Sequence, residues 1–280
     1  MSVNDLLLNY HDAVIYRSDL ALLDSPTDWL NDACINFQMT RLRQAANLSA
    51  TTTQEKVTDP KRQGKGTDVV EVLEDLFLDP SVVSFLVHQL AEDDEDYGDE
   101  LSSLNAAWNL PRSRTSNKRK RIFVPISDQF GQSRAAFARP GGGNHWSILL
   151  WEVNALAGVE FYHFDSSRGV NRTAAEVVAK KLHEVLSASV PPRDDIAYPI
   201  EVVECRSPQQ RNGYDCGLFA IGFAEALSGT GDHFVAKERR ESLLQDYFEE
   251  NGGHLEFASR LRNRIGDAIR ELIAGGAGTR

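Results

Sequence analysis

Residues 210–227 read Gln210-Arg211-Asn212-Gly213-Tyr214-Asp215-Cys216-Gly217-Leu218-Phe219-Ala220-Ile221-Gly222-Phe223-Ala224-Glu225-Ala226-Leu227. The first eight form a polar, glycine-bearing loop that ends on a cysteine. The rest is an apolar run without proline, with Leu218, Ile221 and Phe223 or Ala224 on one side at helical spacing. This predicts a buried helix with Cys216 in its first turn. A helix N-terminus presents unpaired N–H groups and partial positive charge, which favour thiolate over thiol, and thiolate is the nucleophile. Read alone, the same stretch also suits a cysteine that merely packs, the commonest fate of a free thiol. The rest of the chain has to decide.

Upstream, three strands are predicted. Arg121–Ile126 is one, and His145–Val153 is a second, delivered by Gly141-Gly142-Gly143-Asn144. Val159–Asp165 is a third, after a turn at 154–158. A fourth, Pro199–Cys205, leads into the cysteine loop. Ala174–Leu186 is an amphipathic helix, and residues 236–274 are helical with a break at Gly252-Gly253. At the other end, residues 4–24 read as an amphipathic stretch and a turn. A helix follows Trp29-Leu30-Asn31-Asp32 through about Ala46, with Asp28 or Asn31 as its cap. Val69–Phe77 and Pro80–Leu90 read as helical, the second capped by Asp79. Residues 47–68 and 92–120 read as mobile insertions, the latter holding an acidic run at 92–96 and a basic one at 112–121. Helical ends around a small sheet make an α+β layout, one domain over 1–280.

Composition narrows the function classes. The 280 residues are 41% hydrophobic and 25% charged, ordinary for a soluble globular protein. A formal net charge of −11 argues against a nucleic-acid partner. No apolar run approaches membrane-spanning length, and the start lacks a secretory pattern, so cytoplasm or nucleus is expected. The three cysteines, Cys34, Cys205 and Cys216, include no C-x-x-C pair, so neither a disulfide framework nor a zinc site is expected. Cys34 reads as a packing residue, and Cys205 as packing or unreactive surface.

A nucleophilic cysteine needs a base, and the base needs a third group to orient it. Of the seven histidines, His145 alone stands where a glycine loop enters a strand. His163, inside an apolar strand, reads as a satisfied sheet histidine. Asp165 ends the next strand, and a hairpin turning at 154–158 would set it beside His145. Asp165 would then hold the imidazole in one tautomer and stabilise its charged form. Gln210, six residues before Cys216, is a candidate oxyanion donor with the Cys216 N–H.

His145-Trp146, Asp165-Ser166, Gln210-x-Asn212-x-x-Asp215-Cys216-Gly217 and the upstream Trp29-Leu30-Asn31-Asp32, in this order, resemble the Ulp/SENP cysteine proteases of ubiquitin-like modifiers. Tyr10-His11-Asp12, Arg17-Ser18-Asp19-Leu20 and Leu22-Leu23-Asp24 resemble the small deneddylase branch, as do Gly142–Ser147 and Tyr214–Phe219. The resemblance spans roughly residues 5–45 and 120–230. It implies a papain-like α+β fold in circularly permuted order, a Cys216–His145–Asp165 triad and Gln210 at the oxyanion hole. It also implies that Trp29 and Trp146, with Asp32 nearby, bind the modifier's C-terminal di-glycine in a narrow tunnel. The implied partners are a Nedd/Rub-type modifier and its conjugates, such as cullins, met by a monomer that needs no cofactor and no metal. The segments at 47–68 and 92–120 are longer than the compact deneddylase pattern. A SUMO-specific protease is the same chemistry on another modifier. A non-catalytic modifier-binding module and a triad-based acetyltransferase are the alternatives from other classes.

Overall fold

The computed structural model describes residues 5–57, 73–90, 96–110, 119–132, 143–154, 158–188, 200–228 and 236–276. The chain opens with a hairpin, β1 (Leu6–Tyr10) against β2 (Ala13–Tyr16), and then α1 (Arg17–Asp24) and α2 (Asp32–Val57). A five-stranded sheet is described next, in the order β3 (Leu73–Phe77), β4 (Arg119–Ser127), β5 (Trp146–Asn154), β6 (Gly158–Phe164) and β7 (Val202–Glu204). Its centre is antiparallel, β4 to β5 to β6, and both edge strands pair parallel to their neighbours. Between strands run α3 (Pro80–Ser84) with a π turn (Phe85–Gln89), α4 (Tyr97–Ala107) and α5 (Arg172–Ser187). The chain closes with α6 (Cys216–Ser228), α7 (Lys237–Glu250) and α8 (Gly253–Ala274). The mixed sheet flanked by helices is the α+β class expected. Among the described residues no helix is long and apolar enough to cross a membrane.

The sheet alternates, so each face carries its own apolar layer. Phe123, Ile148, Leu150 and Phe164 point to one side and meet α2, α6, α7 and α8. Ile122, Val124, Ile126, Leu149 and Trp151 point to the other and meet α5 and the α3 region. Helix α6 lies wholly inside the first layer, with Leu218, Ile221, Phe223 and Ala224 inaccessible. A helix apolar all round has to be buried in this way. The rim of α6 nearest the sheet end is where Cys216 sits.

Several local expectations give way to tertiary packing. Residues 73–77 form an edge strand, where a helix was expected. Asp75 receives two 2.7 Å hydrogen bonds from the Arg121 guanidinium, and Phe77 stacks on Phe123 with centroids 4.7 Å apart. These cross-strand pairs outweigh the weak helical spacing. Residues 6–24 form the hairpin and a helix, because Leu8, Ala13 and Ile15 alternate inward onto the core. Helix α2 continues to Val57, past the expected stop at Ala46, through the good helix formers Gln44, Ala45, Ala46 and Leu48. Residues 97–107, expected as loop, are helical because Leu101 and Asn105 are buried one turn apart and Asn105 Nδ2 donates to Val185 O on α5. Of the two insertions, 58–68, 92–95 and 111–118 lie outside the described residues. The Asn31 and Asp79 caps are present, accepting from Cys34 N and Ser81 N.

Candidate active site

His145 and Asp165 flank the β5–β6 hairpin at its open end. The register pairs Ile148 with Phe164, so the residue just before β5 and the residue just after β6 emerge together. His145 Nε2 lies 2.5 Å from Asp165 Oδ1, and both residues are buried. The other ring nitrogen is thereby left for Cys216, which lies close enough to the imidazole to help raise its pKa. Burial by itself opposes a charged imidazole. The bond to Asp165, then the nearby Cys216, outweigh it and raise the His145 pKa to about 9. Burial likewise opposes the Asp165 carboxylate. The His145 bond and two backbone donors, Ser167 N and Asn171 N, outweigh it and hold its pKa below the ordinary value. Such an arrangement can accept a thiol proton and return it to a leaving group.

The strand entry is fixed by residues that were not singled out in the sequence. Asp128 Oδ1 accepts from Asn144 N at 2.9 Å and His145 N at 3.3 Å. Gly143 turns the chain there at φ +94°, and a Cβ on it would stand 2.7 Å from Gln129 Nε2. Gly141 and Gly142 lie outside the described residues. Buried Asn171 spends its side-chain N–H₂ on Ile126 O, His145 O and Ser147 Oγ, stitching the ends of β4 and β5 together. Strand-then-Asp and Asn-before-helix signals exist at 128 and 171, but neither discloses its distant partner.

Gln210 is held on the same sheet end. Its Oε1 accepts from Ser166 Oγ at 2.6 Å and its Nε2 donates to Asn212 O at 2.6 Å. One Nε2 hydrogen is used, and the amide plane is set by both contacts, which leaves the second hydrogen for an incoming oxyanion. Asn212 in turn shapes the loop, its Oδ1 accepting from Tyr214 N and Asp215 N. The Asp215 carbonyl accepts from Leu218 N and Phe219 N and so opens α6.

The two tryptophans meet the site differently. Trp146 is half-buried, and its indole N–H donates 3.0 Å to Leu30 O. Trp29, on the loop before α2, is 44% exposed, too open for a core residue of its size. Leu30 beside it packs on the first turn of α6: a Cβ on Gly217 would come 3.1 Å from Leu30 Cβ, so glycine permits the approach. Asp32 is exposed in the first turn of α2 and accepts from Ala33 N. Among the described residues no group of three or more His, Cys, Asp or Glu is placed to hold a metal ion.

Comparison with known proteins places the chain among protease relatives. Human "Sentrin-specific protease 8" is 28% identical over 87% of this chain and 89% of its own length. "NEDD8-specific protease 1" of Arabidopsis thaliana is 28% identical over 98% of this chain and 96% of its own. A solved structure described as a de-sumoylating protease superposes with a TM-score of 0.55 at 16% identity, covering 99% of this chain and 97% of that one, which shows the shared fold. The family model for the Ulp1 protease family, C-terminal catalytic domain, matches residues 81–250, more than half of the chain, and with that the chain belongs to the Ulp1 family of cysteine peptidases.

Proposed function

We propose that this enzyme cleaves after the C-terminal di-glycine of a ubiquitin-like modifier, with a Nedd-type modifier as its principal substrate. The observation that carries the reading is the buried Cys216–His145–Asp165 contact at the open end of the β5–β6 hairpin. Cys216 Sγ attacks the carbonyl of the terminal glycine while its proton resides on His145. The oxyanion is met by the free Nε2 hydrogen of Gln210 and by the N–H of Cys216 at the head of α6. His145 passes the proton to the leaving lysine amine, and water then hydrolyses the thioester. Asp165 keeps the imidazole in the needed tautomer throughout.

Trp29 and Trp146 supply the substrate shape. Both border Leu30, which abuts Gly217, so an extended tail lying between the indoles would reach Cys216. Glycines alone are thin enough to lie between aromatic walls, and the walls exclude water and fix the scissile carbonyl. Asp32 stands on the same rim. The Nedd preference is supported by the Arabidopsis relative named "NEDD8-specific protease 1", whose alignment runs nearly end to end. Cullin conjugates, action as a monomer and a cytoplasmic or nuclear setting complete the proposal. SUMO cleavage is the second reading, since the fold is shared with a de-sumoylating protease.

Side-by-side hydrolysis of C-terminal reporters of Nedd-type modifier, SUMO and ubiquitin tests it. The Nedd-type reporter is expected to turn over fastest. Faster SUMO hydrolysis would overturn the preference, and hydrolysis of none would overturn the activity.

A further inference from the structure

Helix α8 carries a buried arginine that joins the two loops on either side of the reaction centre. Arg262 is 3% exposed. Its Nη1 donates to Leu22 O at 2.7 Å, and its Nη2 donates to Asp28 O at 2.9 Å and to Asp215 Oδ1 at 3.3 Å. The other Asp215 oxygen accepts from Asn212 Nδ2 at 2.8 Å. Asp215 immediately precedes Cys216, and Asp28 immediately precedes Trp29. One guanidinium therefore spans from the α1–α2 loop to the cysteine loop.

The loop bearing Trp29 is held at two points and from two directions. Arg262 takes the carbonyl before Trp29, and the Trp146 indole takes the carbonyl after it. Asp215 is held by Arg262 on one oxygen and by the loop's own Asn212 on the other. Two carbonyls and a carboxylate at fixed angles match the arginine fork, which lysine cannot reproduce. A buried charge is a weak way to stabilise a fold, since apolar side chains of equal volume do as well or better. The placement of these donors beside Trp29 and Cys216 gives the charge a different use.

We propose that Arg262 is a positioning residue: it sets the spacing between the Trp29 wall and Cys216, and thereby the seat of the scissile carbonyl. This rests on the reading of Trp29 as a tunnel wall and Cys216 as nucleophile. Arg262 does not contact the reacting atoms; it acts through Asp28 and Asp215. Leu22, Asp28 and Arg262 all lie outside the family-matched segment 81–250, so elements beyond that segment complete the site.

The test uses the full chain with Arg262→Met, Arg262→Lys, Asp215→Asn and the double variant Asp215→Asn/Arg262→Met. Three quantities are read: kcat and KM on the Nedd-type reporter per folded molecule, the rate of Cys216 alkylation by iodoacetamide without modifier, and the melting temperature. Arg262→Met is expected to lower kcat/KM by about 10- to 100-fold, through both a higher KM and a lower kcat. Arg262→Lys, with one ammonium for three acceptors, should fall between it and the wild type. Cys216 alkylation should slow in both. The double variant should lose less than the product of the single losses, because both act through one contact. A lowered melting temperature with wild-type kcat/KM per folded molecule would overturn the proposal, as would single losses that simply multiply. If Arg262→Met does not fold, Arg262→Lys decides by the same criteria. If the wild type cleaves no reporter, the proposed substrate fails separately, and alkylation unchanged in the folded Arg262 variants would still overturn the positioning role.

Discussion

Two histidine–carboxylate pairs lie within a few residues of each other on the same sheet. His145 meets Asp165 at 2.5 Å, and His163 meets Glu204 at 2.7 Å. The carboxylate contacts are alike; the second ring nitrogen is not. His163 gives its Nε2 to Ser147 Oγ at 2.8 Å, so both nitrogens are consumed in a strand interior with no exposure. His145 sits one residue before its strand, where the hairpin opens, and its second nitrogen meets Cys216. A histidine beside an acid is thus not yet a catalytic base. The strand end, the unconsumed nitrogen and the neighbouring thiol make it one. The cysteines repeat the lesson. Cys34 is also in the first turn of a helix, yet burial and the nearby Asp19 push its pKa up to about 12, and its thiol donates to Asp19 O. A helix N-terminus alone does not make a nucleophile.

The largest expected effect separates the cysteines. Cys216→Ser should abolish reporter hydrolysis, a loss of about 10⁴-fold or more, since hydroxyl for thiol removes the nucleophile the site is built for. Cys34→Ser should instead lower the melting temperature and leave kcat per folded molecule near wild type. Hydrolysis retained by Cys216→Ser would break the distinction.

Next come the carboxylates. Asp165→Asn should cost about 10²- to 10⁴-fold in kcat, because the imidazole loses the carboxylate charge that fixes its tautomer and stabilises its protonated form. Glu204→Gln should leave kcat unchanged and lower the melting temperature by about 2–4 °C, the worth of one hydrogen bond. Equal kinetic losses in the two variants would erase the difference between the pairs.

The same comparison carries a pH signature. His145 keeps its proton until about pH 9, so activity that needs the imidazolium falls as pH rises through that value. Asp165→Asn should move this basic limb down toward the ordinary histidine value of 6.5. Stability follows the same pair. The raised His145 pKa contributes in full below 6.5 and is lost as pH rises through about 9. The lowered Asp165 pKa contributes above 3.8 and is lost as pH falls through its folded value. The melting deficit of Asp165→Asn should therefore be widest between pH 3.8 and 6.5, and a deficit that grows toward pH 10 would contradict the pairing.

Smaller effects sharpen the surroundings of His145. Gln210→Ala should lower kcat by about 10²- to 10³-fold with little change in KM, as loss of an oxyanion donor does. Trp29→Ala should act mainly on KM, by about 10-fold, through a wider tunnel. A Trp29 effect confined to the melting temperature would return that residue to packing.

Much of the central machinery was legible in the sequence because it rests on short-range patterns. The hairpin from His145 to Asp165 follows from alternation and a turn, and the α6 helix from an unbroken apolar run. Less legible was whatever depends on a distant partner. The β3 strand at 73–77 exists because Arg121 and Phe123, more than 40 residues away, pair with Asp75 and Phe77. Helix α4 forms because α5 receives Leu101 and Asn105. Asn171, Asp128 and Arg262 read as ordinary polar residues until their acceptors are placed. Trp29 stood out as a substrate wall only by resemblance, and Gln210 was a candidate by its place before Cys216 although spacing assigns it no partner.

The most direct test of the central claim is covalent trapping. The chain is incubated with a Nedd-type modifier whose C-terminal glycine bears an electrophile, and the adduct is mapped by mass spectrometry. One modifier is expected on Cys216, with none on Cys34 or Cys205 and none after Asp165→Asn within the same time. No adduct, or an adduct on either other cysteine, would contradict the account.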